Sequence, residues 1–129
     1  MHAQSLDEVA KRHGMQLLLQ FGSTVTGETH ADSDLDLAAL FDEVPSSFVA
    51  LGEAIADLQA LFSGREVDLV VLNHADRLLL RTITDHAVLL HGTTRRFTEF
   101  RMYAFKRYQD HRRFLRLERE YVRRQVARA

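Results

Sequence analysis

Two acidic residues, Asp34 and Asp36, lie where the sequence passes from a polar loop into an apolar run. They alternate with Leu35 and Leu37, a pattern typical of a β-strand whose leucines point into a core. Both carboxylates should therefore project from one face. Carboxylates held side by side repel each other unless a cation lies between them. Oxygen ligands of this kind suit Mg²⁺, which commonly binds one or two carboxylates together with substrate phosphates. The pair predicts half of a metal and nucleotide site.

Gly22 and Ser23 follow an apolar run, and ten residues separate Ser23 from Asp34. Glycine permits a tight turn, and a hydroxyl with backbone N–H groups can bind a phosphate at the start of a helix. We therefore predict that Gly22 and Ser23 bind the nucleotide.

A third carboxylate, Asp68, stands in the middle of an apolar, β-branched stretch over residues 65–72. An acid within a buried strand is costly unless it is paired or binds a metal. If this strand lies beside the first, Asp68 can join Asp34 and Asp36 on one metal-binding face. The alternative is a simple strand-edge acid paired with Arg65.

These motifs together resemble the polymerase β-type nucleotidyltransferase superfamily, over roughly residues 5–92. The short chain is similar to the minimal nucleotidyltransferases, the antitoxin partners of HEPN-domain toxins. The resemblance implies Mg²⁺-dependent transfer of AMP from ATP to a tyrosine hydroxyl of a cognate HEPN ribonuclease, which neutralises the toxin. It implies that Asp34 and Asp36 hold Mg²⁺ and that Asp68 completes a second metal position or acts as a base. It also implies a stable complex with the toxin, and hence a hetero-oligomer.

The chain departs from the family pattern directly after Gly-Ser. Family members often carry Gly-Ser-Arg-x-x-Gly, whereas Thr24 takes the arginine position here. A phosphate-facing cation is therefore absent from that position, and Lys11, Arg12, Arg65 or a partner's side chain would have to substitute.

The sequence leaves two alternatives to protein adenylylation open. One is an antitoxin that masks its toxin without catalysis, and the other is nucleotidyl transfer to the hydroxyl of a small molecule.

Two other metal interpretations are rejected. An EF-hand calcium loop fits the acids from Asp32 to Glu43, but Leu37 stands where that loop needs glycine. The seven histidines show no pair with convincing metal spacing, and none is assigned a role, including His30 and His74.

Composition limits the class of protein further. The 129 residues suit one domain with a real core, and no apolar run approaches the ~20 residues of a membrane span. The chain has no cysteine, which excludes disulfides and thiolate metal sites. The polar N-terminus does not resemble a signal peptide, so we expect a cytoplasmic protein without a membrane partner.

Charge is distributed unevenly along the chain. From residue 95 onward twelve basic residues stand against four acidic ones, whereas residues 1–94 carry five against fourteen. This asymmetry predicts an interaction surface in the tail. Direct binding of nucleic acid is not favoured, because acidic residues interrupt the basic run. We expect the toxin to contact the C-terminal helix and the face that carries the acids.

The pattern of elements predicts an α/β fold with a small mixed sheet, helices packed on it and a long C-terminal helix. Predicted strands cover residues 15–21, 34–41, 65–72 and 87–90, and predicted helices cover residues 5–13, 47–62, 77–86 and 93–129. Residues 1–92 would form the nucleotidyltransferase domain, and residues 93–129 a basic helical extension that binds the partner. The expected inward-facing residues of the two middle helices are Phe48, Leu51, Ile55, Leu58, Leu61 or Phe62, Leu78, Leu79 and Ile83.

Overall fold

The computed structural model describes residues 5–22 and 34–128, which form helices around a mixed sheet. The elements in chain order are α1 (Leu6–Arg12), β1 (Met15–Phe21), β2 (Leu35–Phe41), α2 (Phe48–Leu61), β3 (Val67–Val71), α3 (Arg77–His86), β4 (Val88–His91) and α4 (Thr94–Arg128). A short 3₁₀ turn, Leu72–His74, follows β3. The predicted fold class, a mixed sheet with packed helices and a long C-terminal helix, is confirmed.

The four strands lie in the order β3-β2-β1-β4. β1 pairs antiparallel with both β2 and β4, whereas β2 pairs parallel with β3. A parallel pair needs a crossover connection, and α2 provides it. β3 and β4 are the outer strands of this sheet, so α3, which connects them, crosses from one edge to the other.

Helix boundaries follow from side-chain caps. The Ser5 hydroxyl accepts a hydrogen bond from the Glu8 N–H at 3.1 Å, as the capping pattern predicts. Ser47 caps α2 in the same way, and the Asp76 carboxylate caps α3 by accepting from the Leu79 N–H at 2.8 Å. Each cap satisfies a backbone donor that the first helical turn leaves unpaired.

The core lies on both faces of the sheet. Leu35 and Leu37 of β2 belong to the cluster that α1 and α2 cover, which includes Val9 and Leu58. Ala38 belongs to the opposite cluster, which α3 and α4 cover with Leu80, Ile83, Phe100 and Ala104. Because side chains alternate along a strand, Asp36 points to the same face as Ala38.

Three residues expected to face inward do not. Phe48 is 94% exposed, and Leu78 is 61% exposed with Leu79 also on the surface. In α2 the buried face is centred on Ala54, and at ~100° per residue Phe48 lies about 120° away from it. In α3 the buried face consists of Leu80, Ile83 and Thr84. The prediction for Ile83 is confirmed, whereas Leu80, not Leu78 or Leu79, is the buried leucine.

Only the first part of α4 packs on the domain. Phe100 and Ala104 are buried, whereas residues 112–128 are exposed along their whole length. The guanidinium of Arg81 in α3 lies over the rings of Phe105 and Tyr108 in α4, 4.7 and 5.1 Å from their centroids. These cation–π contacts stabilise the packing of α3 against α4. None of the helices described is both long enough and apolar enough to cross a membrane.

Candidate nucleotide and metal site

Parallel pairing brings two of the predicted acids together. Asp36 of β2 and Asp68 of β3 are direct partners in the register of the pair. Ala38 and Val70 follow these acids by two residues in their strands, and both belong to the core cluster on one face of the sheet. Because side chains two residues apart share a face, Asp36 and Asp68 project from that same face. Asp34 is exposed and lies just before β2, whose first N–H, from Leu35, donates to the Glu66 carbonyl at 2.8 Å. The three acids therefore share one end of the β2–β3 pair.

The charges of these acids interact. Partial burial raises the pKa of Asp36, and the nearby carboxylates of Asp68 and Asp34 raise it further. Asp34 and Asp68 are exposed, so their side chains can respond to a ligand. Burial and like charge both disfavour the ionised form of Asp36. A cation bound between the carboxylates would offset this repulsion, so the site favours cation binding.

The carboxylates are neighbours, but their side chains are not arranged as a complete metal-coordination site. Within residues 5–22 and 34–128, no three acidic or histidine side chains are already arranged to hold a metal ion. Like-charged carboxylates repel one another, and the register of β2 and β3 holds their two strands side by side. Three carboxylates from one sheet end match the hard oxygen ligands that Mg²⁺ prefers, so the residue types fit this ion.

Gly22 lies directly against Asp36. It follows Phe21, the last residue of β1, which pairs with Asp36 across the antiparallel ladder. Its φ angle is +82°, and a Cβ at this position would overlap the Asp36 Oδ2 atom. Only glycine combines this backbone conformation with this close approach. Ser23, also predicted to bind nucleotide, lies outside the described residues, as do Thr24 and His30.

Gln59 is a site-supporting residue that the sequence did not reveal. Its side chain accepts from the Val67 N–H at 2.8 Å and donates to the carbonyls of Arg65 and Phe62, at 2.5 and 3.2 Å. These bonds join the end of α2 to the start of β3, one residue before Asp68. The only indication of this role in the sequence is that Gln59 is a polar residue among the apolar residues near the end of α2.

Two histidines form hydrogen bonds with aspartates away from the three acids of the candidate site. His13 contacts Asp57 at 2.7 Å, and His91 contacts Asp7 at 2.6 Å. Each histidine lowers the pKa of its aspartate, chiefly through the hydrogen bond. The pairs join α1 to α2 and β4 to α1, which is a structural role.

Comparison with known proteins places this site in context. The family model described as "Polymerase beta, Nucleotidyltransferase" matches residues 4–96. The protein adenylyltransferase MntA of Thermococcus cleftensis is 36% identical over 83 residues, which cover 63% of this chain and 80% of that protein.

Solved structures are similar over nearly the whole chain. A crystal structure of a toxin–antitoxin with AMP-PNP has a TM-score of 0.70 and 26% identity, covering 93% of this chain and 94% of that one. The structure of the tri-AMPylated Shewanella oneidensis HEPN toxin in complex with an MNT antitoxin has a TM-score of 0.64 and 24% identity, covering 93% of this chain and 91% of that one. At that lower identity the likeness concerns the fold alone. The polymerase β-like fold predicted from the sequence is confirmed.

Proposed function

Because this chain belongs to the polymerase β nucleotidyltransferase family, we propose that it transfers AMP from ATP, with Mg²⁺, to a tyrosine hydroxyl of a cognate HEPN toxin and so neutralises it. The observation that carries the proposal is the in-register pairing of Asp36 with Asp68, beside a glycine at which any side chain would overlap the Asp36 carboxylate. Nucleotidyl transfer needs such a group of acids next to a backbone that a phosphate can approach.

The enzyme class is confirmed as nucleotidyltransferase, and so is the resemblance to the minimal antitoxins. The AMP-PNP in a similar complex and the adenylyltransferase activity named for the Thermococcus relative support ATP as the substrate. The AMPylated HEPN toxin of the Shewanella complex supports a protein acceptor. The tyrosine, the metal ion and the residue roles below are part of the proposal.

Asp34, Asp36 and Asp68 would hold Mg²⁺, which when bound supplies positive charge against the triphosphate and the leaving pyrophosphate. Gly22 would let the backbone approach the phosphates, since a side chain there would fill the space next to Asp36. Ser23 would hold a terminal phosphate through its hydroxyl and N–H.

The exposed carboxylate of Asp68 is suited to accept the proton of the acceptor hydroxyl, and it can also complete a second metal position. As the phenolic oxygen forms its bond to the α-phosphorus, the bond from that phosphorus to pyrophosphate breaks and the proton passes to Asp68. The toxin tyrosine then carries AMP, whose bulk and negative charge would obstruct a site that binds RNA.

The exposed part of α4 provides a surface for the toxin. Phe114, Leu117, Tyr121 and Val122 are all more than half exposed on one side of the helix. Exposed apolar side chains in such a row are typical of a surface that a partner covers. We attribute the toxin contact to this helix together with the acidic end of the sheet.

The direct test uses α-³²P-labelled ATP, Mg²⁺ and the protein encoded beside this chain. Wild type should label the neighbour, and Asp34→Asn/Asp36→Asn should not. The matched control is Asp42→Asn, which removes an exposed carboxylate just beyond the opposite end of β2. Equal labelling by wild type and the double variant would contradict the proposed metal site, and no labelling by either would contradict the transfer.

The presence of Thr24 in place of the family's arginine favours a second candidate, an antitoxin that only masks its toxin. In that case Asp34→Asn/Asp36→Asn would inhibit the toxin's ribonuclease activity as well as wild type does, at equal stoichiometry and without ATP. Under the proposed transfer, inhibition would require ATP and would be lost in the variant.

A further inference from the structure

We propose that a cavity at the end of the sheet opposite the three acids binds a nucleoside phosphate without a metal ion. The cavity lies between α4 and the 3₁₀ turn that follows β3, and its volume is about 460 Å³. Concave sites of this size commonly hold a small molecule. The proposal goes beyond the transfer reaction, because it concerns a second site whose ligand is not consumed there.

The buried core of the sheet separates this cavity from the acids. Leu40 lines the cavity, whereas Asp36 lies four residues earlier in β2 and on the same face. At about 3.3 Å per residue, their Cα atoms are roughly 13 Å apart. Ala38, between them, has no exposed surface. No open path along β2 therefore joins the two sites.

The lining of the cavity is basic, in contrast to the part of the chain that forms the sheet. Residues 1–94 carry five basic residues against fourteen acidic ones. The cavity is lined by Arg96 and Arg107 of α4 and by His74 of the 3₁₀ turn, and none of the described residues that line it is acidic. Such a lining offers no carboxylate to a divalent cation, and it attracts anions instead.

Arg107 is the arginine best suited to bind the anion. Its guanidinium donates to the Tyr103 hydroxyl at 2.6 Å and lies over the Tyr103 ring, 5.5 Å from the centroid. Within the part of the chain that the structure describes, Arg107 forms no ion pair. The side chain is therefore positioned while its charge is not neutralised. A guanidinium has further N–H donors besides the one that Tyr103 accepts, and their geometry matches phosphate oxygens.

Arg96 places a second cation on the same side of α4. Four lining residues recur at intervals of three or four and so share one side of the helix: Arg96, Phe100, Tyr103 and Arg107. The two arginines are roughly 16 Å apart along the helix axis. The Arg96 Nε donates to the Gln16 Oε1 at 2.9 Å, which holds the side chain against β1. Arg96 also lies 3.9 Å from the carboxylate of Glu99, which is on the surface and outside the lining.

Between the arginines, the lining suits a planar base. The Tyr103 ring is 47% exposed, and its centroid lies 5.9 Å from that of the buried Phe100 ring. Leu40, Leu72 and Leu80, all buried, form the apolar part of the lining. Aromatic side chains bind nucleobases by stacking, and basic side chains beside them bind the phosphates. The cavity therefore fits a ligand that combines a base with phosphate.

The wall opposite α4 is held in place by the protein itself. The Asn73 side chain accepts from the Phe41 N–H and donates to the Phe41 carbonyl, both at 2.9 Å. These bonds fix the 3₁₀ turn to the end of β2, and His74 follows directly. The ring nitrogens of His74 can donate to a ligand or accept from it. A wall that is already ordered lowers the entropic cost of binding.

Isothermal titration of the full chain with ATP in the presence of EDTA tests the site, because chelation weakens the proposed binding at the acids. We expect submillimolar binding of ATP, equal in wild type and in Asp34→Asn/Asp36→Asn. The absence of binding in EDTA would overturn the proposal. Loss of binding in the double variant would also overturn it, by placing ATP at the acids.

A pair of arginine variants tests whether the cavity itself binds ATP. Arg107→Gln should weaken binding by about tenfold or more, because it removes charge-assisted hydrogen bonds. Arg101→Gln is the matched control, since it removes the same charge from an exposed position of α4 outside the lining. Its affinity should stay within about twofold of wild type. Equal weakening by both variants would assign ATP to the general charge of α4 and overturn the cavity. The Tm of each variant without ligand shows that it is folded.

Other ligands in the same titration test the class of ligand, and they require only the wild-type chain. Tripolyphosphate and adenosine should each bind more weakly than ATP, because the site needs both phosphate and base. Either binding as tightly as ATP would overturn the nucleoside phosphate, and so would a glutamate-rich peptide that binds more tightly. None of these measurements involves transfer, so their failure leaves the proposed function standing. Conversely, a failure of label transfer leaves the cavity standing.

Discussion

Asp36 is a residue at which folding stability and the proposed metal binding oppose each other. Burial and two neighbouring carboxylates raise its pKa, so the folded state holds this proton more tightly than the unfolded chain does. Stability therefore falls as pH rises from the ordinary range of an aspartate, about 3.9, through the raised pKa, and the penalty is fully present above it. A bound cation would remove much of that penalty.

Asp36→Asn should therefore raise the Tm of the metal-free protein at pH 7, with the difference disappearing at about pH 3.5, where wild-type Asp36 is also uncharged. Millimolar Mg²⁺ should raise the Tm of wild type and leave that of the variant nearly unchanged. Differential scanning calorimetry over pH measures both effects, with Asp42→Asn as the control. A variant less stable than wild type at pH 7 would contradict this account of the acids.

Gly22 offers a second test at the residue scale. Gly22→Ala combines a left-handed backbone with overlap of the Asp36 carboxylate, so we expect a loss of about 1–3 kcal/mol and a more than tenfold loss of label transfer. Gly14→Ala is the matched control, because Gly14 has φ +69° and no atom lies within 4 Å of where its Cβ would stand. It should cost about 1 kcal/mol and keep transfer. Equal loss of transfer in both variants would show that closeness to Asp36 is unimportant.

At the scale of elements, the candidate site depends on how α2 and its connection to β3 position that strand beside β2. The parallel register of β2 and β3 sets Asp68 beside Asp36, and a shift of one residue would turn Asp68 to the opposite face. Gln59 fixes the junction with hydrogen bonds to three backbone groups. An uncharged helix residue therefore helps to position Asp68, the acid proposed to take part in catalysis.

Gln59→Ala should lower the free energy of unfolding by about 2–3 kcal/mol, because it leaves backbone groups at the junction unpaired. It should also lower kcat of transfer more than it raises KM for ATP, since Asp68 would be less well placed. Chemical denaturation and steady-state kinetics measure the two effects. Gln109→Ala, on the exposed side of α4, should change neither.

The elements also show what the sequence could and could not predict. Caps and alternation located β1 and α3 at their observed bounds, and the shared face of Asp36 and Asp68 followed from their apolar neighbours. Three consecutive leucines do not determine the phase of α3, so Leu78 and Leu79 were placed wrongly. The pairing of His91 with Asp7 joins distant parts of the chain, and no local pattern contains it.

At the scale of the whole molecule, α4 divides into a part that belongs to the core and a part that does not. Phe100 and Ala104 are buried against the sheet and α3, whereas residues 112–128, hereafter distal α4, are exposed. The basic excess is larger in this exposed part, where seven arginines stand against two glutamates, than in residues 95–111, where five basic residues stand against two acidic ones. Stability and partner binding should therefore be separable.

A chain ending at His111 should keep its Tm within about 2 °C of wild type, because the removed residues are exposed and contribute little to the core. Its binding to the neighbouring protein should be lost. Phe100→Ala is the contrasting change, with an expected cost of about 3–4 kcal/mol from the cavity it leaves. Calorimetry and isothermal titration measure these outcomes, and retained binding by the shortened chain would assign the partner to another surface.

Exposure of distal α4 also affects how long the chain survives in a cell. A helix with few tertiary contacts opens locally at low free-energy cost, and an opened segment is where a protease cuts first. Trypsin should therefore clip the unaccompanied chain within residues 112–128, while residues up to His111 persist. A bound partner would have to leave before cleavage could begin, so the lifetime of the intact chain becomes a measure of how much partner is present.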